Sequence, residues 1–239
     1  MCMFKSMLLL KDKVFCPNYD SHEDMINETG MEHGPMRENF VRVEITPPYD
    51  DLTVPIDKWK YKVDQDYLPE WYVEEVDKPR CFDALKAWAV KHILVGQDVP
   101  EVKQGEFVVL VNCNTGIVKG TVKEVLGGTV QAVWDGGTVQ AVWGGTVQKV
   151  WGGTVQKVLG GTVQKVLDGG TVQEVRDGGT VQKVWGGTVQ KVWDGGTVQE
   201  VRDGGTVQQQ IGGIVIYADG RISVCNKSFY RLITPEEMK

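Results

Sequence analysis

The sequence predicts a mainly β protein in which a short-repeat β-solenoid follows a small α+β N-terminal domain. Three observations carry this expectation. A unit of the form T-V-Q-x-V-[W/L/R]-(D)-G-G recurs eleven times from Thr121, at spacings of eight or nine residues. Valine fills the second and fifth positions of nearly every unit, as a repeated inward-facing pair would. Residues 1 to 110 show no repeat and carry 21 Asp/Glu against 13 Lys/Arg, whereas residues 111 to 213 carry 8 against 9, so the net charge of −6 belongs to a different kind of structure.

Residues 1–105 are expected to form the acidic α+β domain. Residues 7–15 and the run Phe40-Val41-Arg42-Val43-Glu44-Ile45 have strand composition, the second ended by Pro47-Pro48, and residues 59–63 alternate as a half-buried strand does. Across 79–95 the period lengthens: Phe82, Leu85, Trp88 or Ala89, and Ile93 share a helical face, with Gly96 as the stop. Trp59, Trp71 and Trp88 give this domain apolar area to bury.

Residues 106–213 are assigned to the solenoid. Positions two and five of a straight strand face opposite ways, so both valines reach one core only if the chain bends near the glutamine. Stacked coils then place valine on valine inside, with threonine and glutamine outside, and the Gly pairs at the corners. The alternative is an antiparallel β-meander with GG or DGG hairpin loops. That arrangement would set Thr, Gln and Val of one strand beside Val, Lys/Glu and Trp of the next and leave neither face clean. An extra Asp precedes the Gly pair at Asp135, Asp168, Asp177, Asp194 and Asp203, where a turn should absorb it without moving the inward residues. The eights and nines follow no visible twofold or threefold order. The array is expected to be finite. Glu106 to Val111 and Thr115-Gly116-Ile117-Val118 lead into it, and residues 214–239 cap it with a hairpin around Asp219-Gly220 and a first helical turn at Thr234-Pro235-Glu236-Glu237.

Five scattered cysteines without a CxxC pair favour free thiols in a reducing compartment. The apolar run at residues 7–10 is too short for a signal peptide, and no window approaches a membrane span, so a cytoplasmic protein is expected. A near-neutral array lacks the basic stripe needed for phosphate backbones, which disfavours direct nucleic-acid binding by the repeats. Cys16, His22 and His33 match no zinc spacing, and Cys81 and His92 on one helix stand about 16 Å apart by helical rise, too far to act as a pair. Acidic pairs such as Asp50-Asp51 and Glu74-Glu75 suit a solvated surface better than acid–base work. The Gly pairs lack both the ligating Asp of calcium-binding nonapeptide repeats and the Lys-Ser/Thr of a phosphate loop, and the T-V-Q column departs from the T-x-T of ice-binding surfaces. No catalytic residue, metal site or cofactor is expected.

The sixth position of the unit is where binding is expected. It holds Trp134, Trp143, Trp151, Trp185 and Trp193, with Arg176 and Arg202, between aliphatic residues, and such a ladder suits stacking on sugars or on an apolar groove of a partner. The competing reading is that the indoles only cover the corner of the coil.

With its "FVRVEITPP" and "DALKAWAVKHIL" segments (residues 40–48 and 83–94) ahead of near-identical G-G-T-V-Q units, the chain resembles accessory proteins of tailed phages and gut metagenomes. The resemblance implies a source and no activity. The expectation is a non-enzymatic binding protein of an infected bacterial cytoplasm, with inhibition of a host protein as one role, a protein partner, and a homo-oligomer compatible with the array. The alternative is a structural, self-assembling or glycan-binding solenoid.

Overall fold

The computed structural model describes residues 4–31, 39–226 and 229–237. The chain divides into two compact units, residues 1–92 and 93–239.

In the first unit, β1 (Lys5–Leu10) and β2 (Val14–Phe15) form a hairpin, so the apolar segment at 7–15 is two strands: Lys11-Asp12-Lys13 reverse the chain between them. A helix that the sequence hid, α1 (His22–Thr29), follows. Ser21 caps it by accepting from the Asp24 N–H, and Gly30 closes it at φ 67°. β3 (Phe40–Thr46) and β4 (Lys60–Val63) complete an antiparallel sheet in the order β2-β1-β3-β4. The second helix, α2 (Glu74–His92), starts earlier and ends earlier than the periodicity at 79–95 suggested. Glu74, Glu75 and Asp77 favour its first turn through the helix dipole, and the Asp77 carboxylate accepts from the Val73 N–H ahead of Pro79. Cys81, Leu85 and Ala89 form its buried stripe. Lys5, 3% exposed, is held by Asp20 at 2.7 Å and by the Tyr19 carbonyl at 2.9 Å.

The second unit is the β-solenoid, about seven turns long. It begins ahead of residue 106. β5 (Ile93–Val95) and β6 (Asp98–Val102) pair in parallel with β7 (Phe107–Val111) and β8 (Cys113–Val118). These coils lack the Gly pair and the T-V-Q signature, which is why the repeat pattern did not reach them. Next come β9 (Thr121–Val133) and β10 (Thr138–Val150), each running through two units, and then one strand per unit: β11 (Thr154–Val158), β12 (Thr162–Val166), β13 (Thr171–Val175), β14 (Thr180–Trp185), β15 (Thr188–Val192), β16 (Thr197–Arg202) and β17 (Thr206–Gln210).

Every unit stacks on the unit two before it. Thr138 pairs with Thr154, Thr154 with Thr171 and Thr188 with Thr206, so two units make one turn of 16, 17 or 18 residues. The units beginning at 121, 138, 154, 171, 188 and 206 form one side of the coil, side A, and those beginning at 129, 146, 162, 180 and 197 form side B. The repeat units all pair in parallel, threonine beside threonine, with a local register shift at Gly144 between β9 and β10, which excludes the meander. The inward valines from Val122 to Val198 are all fully buried and form one continuous core.

The inserted Asp is absorbed in a turn, as expected. In each nine-residue unit the second Gly N–H donates to the position-six carbonyl, as Gly137 does to Trp134 at 2.8 Å and Gly170 to Leu167 at 2.8 Å. Separating the two corners exposes an order that the chain as a whole conceals. After side B, Asp135, Asp168 and Asp203 mark every second coil, and the coils between have Gly152 and Gly186 at that place. Gly186 has φ +78°, and a Cβ there would overlap the Asp168 carboxylate; a Cβ on its neighbour Gly187 would lie 2.6 Å from Val166 Cγ1. Long and short corners thus nest.

Side B ends in β18 (Gly213–Tyr217), which pairs with β16, then antiparallel with β19 (Ile222–Asn226), followed by β20 (Phe229–Ile233). The hairpin around Asp219-Gly220 is therefore present, and a third strand follows it. Residues 235–237 form a turn, with the Glu237 N–H donating to the Thr234 carbonyl at 3.1 Å, in place of the expected helical start. Gln210, which stands where other units have their second valine, donates to the Ser223 and Gly213 carbonyls and accepts from the Ser223 hydroxyl. A polar plug thus replaces the valine core at this end.

Candidate functional site

Two units per turn split the position-six column into two separate ladders. Leu126, Trp143, Leu159, Arg176, Trp193 and Ile211 lie at the end of side A; Trp134, Trp151, Leu167, Trp185 and Arg202 lie at the end of side B. The backbone fixes the stacking: the Trp151 N–H donates to the Val133 carbonyl at 2.8 Å and the Leu167 N–H to that of Val150 at 2.9 Å.

Exposure follows the ladders unevenly. Trp134 is 40% exposed, Trp143 37% and Trp151 53%, while Trp185 and Trp193 are half-buried. Trp134 and Trp151 sit on consecutive coils with ring centroids 5.4 Å apart and planes tilted by 45°, a compact aromatic step facing solvent. Two coils further on, Trp185 is surrounded by cations: Arg202 at 4.1 Å, Lys183 at 4.9 Å and Lys165 at 5.4 Å from its ring centroid. Arg202 is already balanced by Glu200 at 2.9 Å and Asp203 at 3.2 Å, and Arg176 on the other ladder by Asp177 and Glu174. Both arginines are therefore less available than the sequence suggested.

The fourth position is sorted by the same register. Down side A it reads Glu124, Ala141, Lys157, Glu174, Lys191, Gln209, and the pairs Lys157–Glu174 and Glu174–Lys191 alternate in sign. Down side B it reads Ala132, Lys149, Lys165, Lys183, Glu200, so three lysines stack directly on one another before an acid follows. Among the described residues Lys183 alone of the three has an acid within 4 Å, Glu200 at 3.9 Å. Near-neutrality of the whole array conceals this column; reading odd and even units separately would have found it.

No protein-family model, curated protein or solved structure matches this chain.

In the first unit, the sequence candidates do not converge. His33 lies outside the described residues. His22 Nδ1 stands 3.9 Å from Asp64, its Nε2 lies 3.3 Å from the Val43 carbonyl, and with Glu44 these groups fall within 4.8 Å of one another. The Lys62 ammonium already occupies the cationic place there, 2.7 Å from Asp64 and 3.6 Å from Glu44. A surface cavity of about 510 Å³ lies beside this cluster, lined in part by Arg42, Gln65 and Tyr67. Cys81 and His92 both lie on α2, where His92 packs against Trp88 with ring centroids 5.0 Å apart. Burial pushes the Cys81 thiol up to about 12 and the Cys16 thiol to about 11, which keeps both protonated and poorly nucleophilic at neutral pH. Among the described residues no helix is long and apolar enough to cross a membrane.

Proposed function

We propose that this is a non-enzymatic binding protein in which the solenoid is a rigid, multivalent docking surface and the acidic α+β unit recognises a protein partner. The observation that carries the reading is the stacked, solvent-facing pair Trp134 and Trp151 on consecutive coils. Large rigid aromatic surface is what binding sites concentrate and what a soluble solenoid has no need to expose. Inhibition of a host protein in the cytoplasm of an infected bacterium is the setting that suits an acidic recognition unit joined to a repeat scaffold, since several weak contacts on one rigid body add to a strong one.

The test is the light-scattering mass of the purified full chain, alone and after pull-down from a bacterial lysate, with wild type and with Trp134→Ala/Trp151→Ala. A monomer or small closed oligomer that captures a discrete partner, at least about tenfold less with the double variant, is the expected result. A second reading, self-assembly, is favoured by one feature: among the described residues no strand covers the outer edge of β17. Open-ended growth of mass with nothing captured would establish that reading in place of the first.

A further inference from the structure

We infer that side B of the solenoid binds a segment of acidic polysaccharide, with Lys149, Lys165 and Lys183 meeting its carboxylates and Trp134 and Trp151 stacking on its sugar rings. The inference rests on the reading of the solenoid as a binding surface and names what that surface takes.

The first argument is the contrast between the two sides. Like charges directly opposite each other in a sheet oppose pairing, and opposite charges favour it. Side A obeys this rule through Lys157, Glu174 and Lys191. Side B breaks it twice in succession, at Lys149–Lys165 and Lys165–Lys183, before Lys183 meets Glu200, although the same unit and the same position offer glutamate or alanine as alternatives. The Trp185 ring against Lys165 and Lys183 softens this repulsion without removing its cause, and departures from a local rule gather where a ligand is met.

The second argument is geometric. Adjacent strands are about 4.8 Å apart, so the three lysines span roughly 10 Å along the solenoid axis. An extended 1,4-linked chain of uronic acids carries one carboxylate per ring at a comparable interval. The exposed indole step lies on the same side, at and just before the first lysine's coil, so the chain can pass from stacking to ion pairing in one direction. Flat sugar faces suit exposed indoles, and cations beside them supply charge without closing a pocket. A nucleic acid fits less well: three stacked lysines on an otherwise near-neutral array make a short column, whereas a phosphate backbone is met by a longer basic stripe.

The experiment is titration of the full chain with hexagalacturonate at low and moderate salt, beside cellohexaose and hexathymidylate as probes of ring stacking alone and of phosphate binding. Hexagalacturonate is expected to bind most tightly and to weaken as salt rises. Lys149→Gln/Lys165→Gln/Lys183→Gln should lower its affinity at least about tenfold and flatten the salt dependence, while the protein stays folded, the relief of repulsion offsetting the lost contacts with Trp185 and Glu200. Lys157→Gln/Lys191→Gln on side A should change affinity less than about twofold. Trp134→Ala/Trp151→Ala should weaken both sugars. Tighter binding of hexathymidylate, or hexagalacturonate binding indifferent to the side-B lysines, would overturn the inference. So would no binding of hexagalacturonate at low salt; if a partner is then still captured in a Trp134/Trp151-dependent way, the broader reading survives, and if none is, both fall.

Discussion

Trp185 shows how one side chain holds an unfavourable arrangement together. Its ring lies under Lys165, Lys183 and Arg202, and among the described residues its buried indole N–H has no acceptor. The face of the ring is useful to the column of cations, whereas the N–H carries an unmet desolvation cost of about 1–3 kcal/mol. Trp185→Phe should therefore leave stability within about 1 kcal/mol of wild type, or raise it, and Trp185→Ala should cost about 2–4 kcal/mol because both packing and cation–π contacts go. Denaturant midpoints of the two variants decide this. Equal losses would mean that the cation–π contacts contribute nothing, since phenylalanine keeps an aromatic face and alanine does not.

At the scale of elements the two units differ in what titrates inside them. Burial raises Cys16 and Cys81, from 9.0 to about 11 and about 12. The folded unit then holds those protons to a higher pH than the unfolded chain does, so their contribution is complete below pH 9 and is lost as pH rises towards 11 and 12. Both helices of the described residues belong to this unit. The helical circular dichroism should consequently fade above about pH 9 while the β signal of the valine-cored solenoid persists, and Cys16→Ala/Cys81→Ala should delay the loss. Simultaneous loss of both signals would contradict it.

Elements also show what was legible in advance. The solenoid was, because a bent unit with Val at two and five admits few other cores. β5 and β6 were not: Ile93 to Val102 lack Gly pairs, and their coil is defined only by its pairing with β7 and β8. α1 is a short helix behind turn-forming residues, legible only through the Ser21 cap. Of the site, the aromatic column could be listed from the sequence. Its division into two ladders could not, since units of eight and nine sum to turns of 16 to 18 and hide the twofold order until the Asp135, Asp168 and Asp203 corner is seen by itself.

For the whole molecule, two units per turn make parity a structural variable. Deleting residues 188–205 removes one full turn and leaves Lys149, Lys165 and Lys183 in column, so both fold and side-B binding should survive. Deleting residues 154–161 removes half a turn and transfers every later unit to the opposite side. Valine would still meet valine, but Lys149 would be followed by Glu174, and the lysine column would be broken. The expected outcome is a folded protein by circular dichroism whose affinity for hexagalacturonate falls at least about tenfold; unchanged affinity would show that the column does not act as a unit.

The direction of the interstrand hydrogen bonds has a mechanical consequence. In the solenoid those bonds join one coil to the next and so lie along its axis. Axial tension loads them a few at a time, and the coils should peel off one after another at modest force. Each would release the 16 to 18 residues of its turn, roughly 55–60 Å of contour. Tension applied across the axis would load many bonds together and meet much greater resistance. Held by its two ends, this array would act as an extensible tether that lengthens in even steps.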